Sequence, residues 1–96
     1  MVVQIVRFKS GLPEEEVIKT CEDRAPDYRA QDGLIQKYYL KYSDTNEYGA
    51  VYIWDSQDAL DAFNKSELRK TIPEAYQVQG APDIGTAEVI MTLRSE

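Results

Sequence analysis

Between Gly33 and Trp54 the chain carries two runs rich in aromatic and β-branched residues, parted by a short polar break. The first run reads Gly-Leu-Ile-Gln-Lys-Tyr-Tyr-Leu-Lys-Tyr-Ser, the second Tyr-Gly-Ala-Val-Tyr-Ile-Trp, with Asp-Thr-Asn-Glu between them. Runs of this kind around turn residues make a β-hairpin. That hairpin constrains the fold more than any other stretch, because every remaining segment has to cover it or extend it. Its strands are expected at about 34–43 and about 48–54. On the second strand Tyr48, Ala50, Tyr52 and Trp54 share one side, and Gly49, Val51 and Ile53 the other. Gly49, with no side chain, leaves room for a bulge or the close approach of another group.

The N-terminal run at about 2–8 is β-branched and suits a strand. Its two faces, Val2-Gln4-Val6-Phe8 and Val3-Ile5-Arg7, are both largely apolar, so both are expected to be covered. Pro13 followed by Glu14, Glu15 and Glu16 reads as a helix start, since acidic groups there complement the helix dipole. Val17, Cys21, Ala25 and Tyr28 recur at helical spacing. Pro26 is expected to kink or end that helix near Arg24 or Ala25, with a short turn to Ala30. After the hairpin, Ser56 can cap a helix whose apolar side is Ala59, Leu60, Ala62 and Phe63. Ser66 can cap a second short helix, about 68–72, which Pro73 stops or redirects. Residues 73–83 hold Pro73, Gly80 and Pro82 and read as an irregular connection, and a last strand is expected at about 85–93. The order is β-α-β-β-α-β over one domain, residues 1–96: an α+β, ferredoxin-like antiparallel sheet with helices on one face.

The other face of such a sheet would show Val, Ile, Tyr and Met to water. An exposed apolar patch of that size marks an association surface, so a homodimer formed sheet to sheet is expected. Charge narrows the other partners. Eleven Lys and Arg face 17 Asp and Glu, a net charge of −6. That balance argues against a phosphate backbone and an anionic membrane surface; no nucleic acid and no membrane are expected. The start of the chain lacks the features of a signal peptide, and no apolar run reaches membrane-helix length; a cytoplasmic location is expected. There is one cysteine, Cys21, and no histidine. Intrachain disulfides, His-ligated metal or haem, His general bases and Ser-His-Asp triads are therefore excluded. Glu14-Glu15-Glu16 points in three directions from its helix and reads as a solvated start, and no metal site is expected.

Ala25-Pro26-x-Tyr28, Gly33-Leu34-x-x-Lys37-x-Tyr39, Gly49-x-x-Tyr52-x-Trp54 and the later Phe63 together resemble the dimeric α+β barrel superfamily. More narrowly they resemble the YdhR-like monooxygenases related to antibiotic-biosynthesis monooxygenases, over about residues 1–94. The resemblance implies two protomers pairing their sheets into a shared barrel, with a pocket in each between sheet and helices. Haem-degrading relatives use a His ligand, a Trp and an Asn. The chain places Phe63 at the Trp position and Pro73 near the His position, so that route lacks its ligand. Cofactor-independent relatives oxidise electron-rich phenolic or anthrone-type substrates, holding them and stabilising their anions with Tyr, Trp, Asn or Arg. By resemblance the chain is read as a monooxygenase without cofactor, acting on a small aromatic or quinol-like compound. The alternative is a dimeric module that binds a small hydrophobic ligand without turning it over, in a sensing or stress-related role.

Charges inside predicted strands are the first candidates for such a site. Lys37 is placed as the anion-stabilising cation and Arg7 as a second one, because cations aimed at developing charge are effective in dry pockets. The competing reading is exposure at strand ends, or a structural pair of either with Glu88. Tyr39, Tyr52 and Trp54 are candidates to stack on an aromatic substrate, with Phe63 beside them; core and dimer packing is the competing reading. Tyr28 is read as packing, Lys41 as exposed, and Cys21 as an inert thiol on the apolar stripe.

Overall fold

A computed structural model describes residues 1–43 and 45–94. Its elements are β1 Val2–Ser10, α1 Glu14–Arg29, β2 Leu34–Lys41, β3 Glu47–Trp54, α2 Gln57–Asn64, α3 Glu67–Lys70, α4 Ile72–Ala75 and β4 Val78–Glu88. The four strands form one sheet in the order β2-β3-β1-β4, with every neighbouring pair antiparallel. This is the ferredoxin-like β-α-β-β-α-β arrangement.

The hairpin register decides which side chains meet the helices. Lys37, Tyr39 and Lys41 pair across from Tyr52, Ala50 and Tyr48, and these lie on the covered face with Gln4, Val6 and Phe8. Tyr38, Leu40, Val51, Ile53, Val3, Ile5 and Arg7 lie on the opposite face by strand alternation. Two glycines make the hairpin fit. Gly33 enters β2 at φ +80°, and a Cβ there would lie 2.6 Å from the Ala59 Cβ. Gly49 sits against β1, where a Cβ would meet the Val6 carbonyl oxygen at 2.1 Å; of the two uses open to it, close approach is the one realised.

Helix boundaries follow their caps. The Ser56 hydroxyl accepts from the Ala59 N–H at 3.2 Å, and the Ser66 hydroxyl from the Arg69 N–H at 3.2 Å. Pro26 does not end α1, which runs on to Arg29. Tyr28, just past the proline and 3% exposed, packs on Tyr52 and Phe63, and that burial holds the last turn against one lost backbone hydrogen bond. Pro73 begins a helix rather than stopping one, since a first turn does not use its N–H.

The last strand differs from expectation. It begins at Val78 and ends at Glu88, so most of the segment read as irregular is sheet. Pro82 is tolerated because β4 is an edge strand with one side unpaired. Gly80, at φ +73°, lies where the β1–β4 register shifts between Arg7 and Lys9. Beyond the strand, Val89 donates to the Met1 carbonyl, and Ile90, Met91 and Leu93 stand exposed.

Among the described residues the core lies between sheet and helices. Trp54, Leu60 and Phe63 are its most buried side chains, joined by Tyr28, Tyr52, Val2 and Ala50. A second cluster holds Val17, Tyr48 and Tyr76. The opposite face is uncovered in the single chain, with Ile5 at 47% and Tyr38 at 49% exposure; a second copy is what is expected to cover it. Among the described residues no helix is long and apolar enough to cross a membrane.

Candidate functional site

A cavity of about 330 Å³ lies between the sheet and α1, α2 and α4. Its floor is the covered face of the sheet, from Gln4 and Phe8 across Tyr48 and Ala50 to Tyr39. Its roof comes from Val17, Ile18 and Cys21 of α1 and from Ile72 and Tyr76. The walls are almost entirely apolar, and Lys37 enters this space from β2.

The Lys37 amine sits over three aromatic faces: its Nζ lies 3.4 Å from the centroid of the Tyr28 ring, 4.4 Å from Tyr39 and 4.7 Å from Tyr52. Among the described residues it makes no ion pair, whereas Arg7, Lys41 and Lys70 pair with Glu47, Glu14 and Glu67. Two effects oppose each other here. Ring faces attract an ammonium by about 0.5–2 kcal/mol. Removal from water disfavours the charged form. Burial prevails and, with the Arg24 guanidinium adding to it against the Cys21 sulfur, holds the Lys37 pKa down to about 7.

The hydroxyls around it are held protonated. Burial pushes the Tyr39 phenol up to about 12, and Tyr52 and Tyr76 higher still. Tyr76 donates to the Cys21 Sγ at 3.3 Å. The Tyr28 hydroxyl is buried and has no hydrogen-bond partner among the described residues. Arg24 donates to the Leu68 carbonyl at 2.9 Å and to the Thr71 hydroxyl at 3.2 Å; these bonds fix it above the sheet and tie α1 to the short helices.

Of the residues singled out in the sequence, the structure brings Lys37, Tyr39, Tyr52 and Phe63 to the cavity. Tyr39 stands at its rim, 43% exposed. Two do not reach it. Arg7 lies on the open face, where strand alternation puts it; its Nε and Nη2 donate to Glu47 at 3.1 and 3.0 Å, and its guanidinium stacks on Tyr42 at 3.9 Å. It is not a second cation for this cavity, and its partner is Glu47 rather than Glu88. Trp54 is fully buried behind the wall, stacked on Tyr52 with ring centroids 6.2 Å apart and tilted against Phe63 at 5.1 Å. It supports the lining and does not touch the space.

Tyr28 is the residue that sequence reasoning undervalued. It packs, and it also supplies the ring nearest to Lys37. Its signal was the proline-tyrosine spacing at the end of α1, but only the β2–β3 register shows what lies beneath it. Arg24 and Gln4 carry no sequence signal of their own; Gln4, 4% exposed, reads in the sequence as an ordinary polar interruption of a strand. Among the described residues no cluster of acidic and cysteine side chains could hold a metal ion.

The family model described as "Putative mono-oxygenase ydhR" matches residues 3–83. Among curated proteins none matches significantly. Solved structures share the fold. SnoaB, a cofactor-independent oxygenase from Streptomyces nogalater, superposes with a TM-score of 0.77 at 18% identity, covering 98% of this chain and 97% of its own. The NE2512 protein of unknown function from Nitrosomonas europaea gives 0.77 at 15% identity, covering 99% and 94%. A putative antibiotic biosynthesis monooxygenase from Deinococcus radiodurans gives 0.76 at 14% identity, covering 100% and 99%.

Proposed function

The chain belongs to the ydhR mono-oxygenase family, and from that premise we propose that it oxygenates a small phenolic or quinol-like compound without a cofactor. The observation that carries this reading is the Lys37 amine, free of any ion pair among the described residues and set among three aromatic rings beside an apolar cavity. A substrate hydroxyl next to that amine can pass it a proton. The resulting ammonium then lies against the phenolate, an arrangement that a dry site strengthens. The electron-rich anion gives electrons to O₂, and oxygen adds to its ring carbon. Loss of water from the hydroperoxide leaves a quinone, so that substrate plus O₂ yields quinone plus water and no further reductant is needed. Tyr39 and Tyr52 offer ring faces and protonated hydroxyls to orient the substrate, and Phe63 closes the far wall.

A second copy of the chain belongs to this reading. The open face of the sheet presents Val3, Ile5, Tyr38, Leu40, Val51 and Ile53, and Ile90, Met91 and Leu93 follow the last strand in the open. Two sheets packed face to face hide these side chains and leave the cavities on the outer sides. Oxygen consumption with a panel of quinols and anthrones, run without added metal or flavin, tests the chemistry. Uptake that falls at least about tenfold in Lys37→Met, with folding intact, is the expected result.

The apolar lining favours one other reading: a binder that holds a hydrophobic molecule and does not turn it over. Tight binding of the same panel with no oxygen uptake would select it.

A further inference from the structure

We propose that Lys37 is a reactive amine that captures small aromatic aldehydes in this cavity as an imine. The inference rests on the same cavity as the oxygenase reading but on different chemistry, and neither requires the other.

Position comes first. The amine is packed at 3.4 Å from the Tyr28 centroid with Tyr39 and Tyr52 behind it, and it borders a space of about 330 Å³, large enough for a one- or two-ring aldehyde. No carboxylate among the described residues engages its lone pair or its proton, while Lys41 and Lys70 are each tied to a glutamate. Its surroundings then set its protonation. Burial and the Arg24 charge hold Lys37 down to about 7, so near neutral pH a large share of the amine is the neutral nucleophile. The apolar walls act on the equilibrium as well. Imine formation releases water, and a cavity with few polar groups gives that water little reason to stay.

The step balances without an oxidant or reductant. The Nζ lone pair forms a bond to the carbonyl carbon, and the carbonyl oxygen takes up a proton that leaves the nitrogen. A second proton, given to that oxygen by a neighbouring hydroxyl, lets it depart as water while the nitrogen forms the C=N bond and returns its remaining proton to the donor. Aldehyde plus amine gives imine plus water. The Tyr28 hydroxyl, buried and without a hydrogen-bond partner among the described residues, belongs to the ring beside the Lys37 amine and serves as that donor, and the aldehyde ring would lie along Tyr39 and Tyr52.

The test uses the intact protein, 2-naphthaldehyde as the probe and sodium cyanoborohydride to trap the imine, followed by peptide mapping. Lys9, Lys19, Lys41, Lys65 and Lys70 serve as internal controls, and Met1 reports the α-amino group. An amine with a pKa of about 7 has a neutral fraction at pH 7 about a thousandfold above that of an ordinary lysine. Lower basicity and restricted access remove part of that advantage, so at pH 7 Lys37 should be labelled at least about tenfold faster than any other lysine. The preference should shrink as pH approaches 10, where the other lysines also lose protons. Equal labelling of all six lysines at pH 7, or labelling that spares Lys37, overturns the proposal, and this comparison needs no variant that folds. Selective labelling in a protein that consumes no oxygen leaves the inference intact while removing the oxygenase reading. Oxygen uptake without selective labelling does the reverse.

Discussion

The two faces of this sheet treat a positive charge in opposite ways. Arg7 and Lys37 both sit within strands of one sheet, yet strand alternation sends Arg7 to the open face and Lys37 to the face under the helices. On the open face Arg7 keeps contact with water and pairs with Glu47, which holds the guanidinium above its usual value and the Glu47 carboxyl below its own. On the covered face Lys37 meets aromatic rings, no carboxylate among the described residues, and a pKa pulled to about 7. The lesson is that parity alone does not set a cation's state: Lys41 shares the covered face with Lys37 yet lies exposed at its edge and pairs with Glu14. A cation that keeps water and a carboxylate stays an ordinary surface charge; Lys37, under the helices, has lost both among the described residues.

The largest expected effect comes from breaking the dry face itself. Phe63→Ala opens the wall that Trp54, Tyr52 and Tyr28 lean on, and a lost buried ring costs about 3–5 kcal/mol. Urea unfolding should register it as a lower midpoint with an unchanged slope. Next comes the open face. Ile5→Glu places a charge in the proposed sheet-to-sheet contact and should turn a particle of twice 11.0 kDa into one of 11.0 kDa in light scattering, with little change in the fold of each chain.

The third effect is a pH dependence carried by Lys37. Its folded pKa of about 7 lies below that of an unfolded lysine. Below pH 7 both states hold the proton and the folded one bears the full desolvation cost. Between pH 7 and about 10.4 the unfolded chain binds more protons, so this group's share of stability rises with pH. Lys37→Met should therefore be more stable than the parent at pH 6.5, by about 2 kcal/mol once the attraction of the rings and residual water are allowed for. The advantage should fade by pH 9.5. A thermal-melt series on both proteins checks it. Smallest of all should be Arg7→Gln. Exposed pairs contribute little, so oxygen uptake and aldehyde labelling should match the parent; a marked loss of either would blur the contrast between the faces.

Much of the architecture was legible because it depends on local signals. The aromatic hairpin, the caps at Ser56 and Ser66 and the acidic start of α1 each announce an element within a few residues. The sequence places the last strand too late because Gly80 and Pro82 are breakers in isolation. Only the edge position of β4 and the register shift beside Phe8 make them compatible with a sheet. Pro26 reads as a helix end for a similar reason, since the Tyr52 and Phe63 rings that bury Tyr28 are far from the proline in sequence. At the site, the residue types in β2 and β3 pointed to Lys37, Tyr39 and Tyr52. Assigning Arg7 and Trp54 correctly needed the pairing of β1 with β3 and the depth of the core, and neither is written in the spacing of a single strand.

The functional reading turns on Lys37 being a desolvated amine with no ion pair among the described residues. A pH titration of the lysine side chains by NMR, following the carbon next to each amine, tests that directly. One lysine titrating near 7, and lost in Lys37→Met, is the result the account predicts. All six lysines titrating together near the ordinary value of about 10.4 would contradict it.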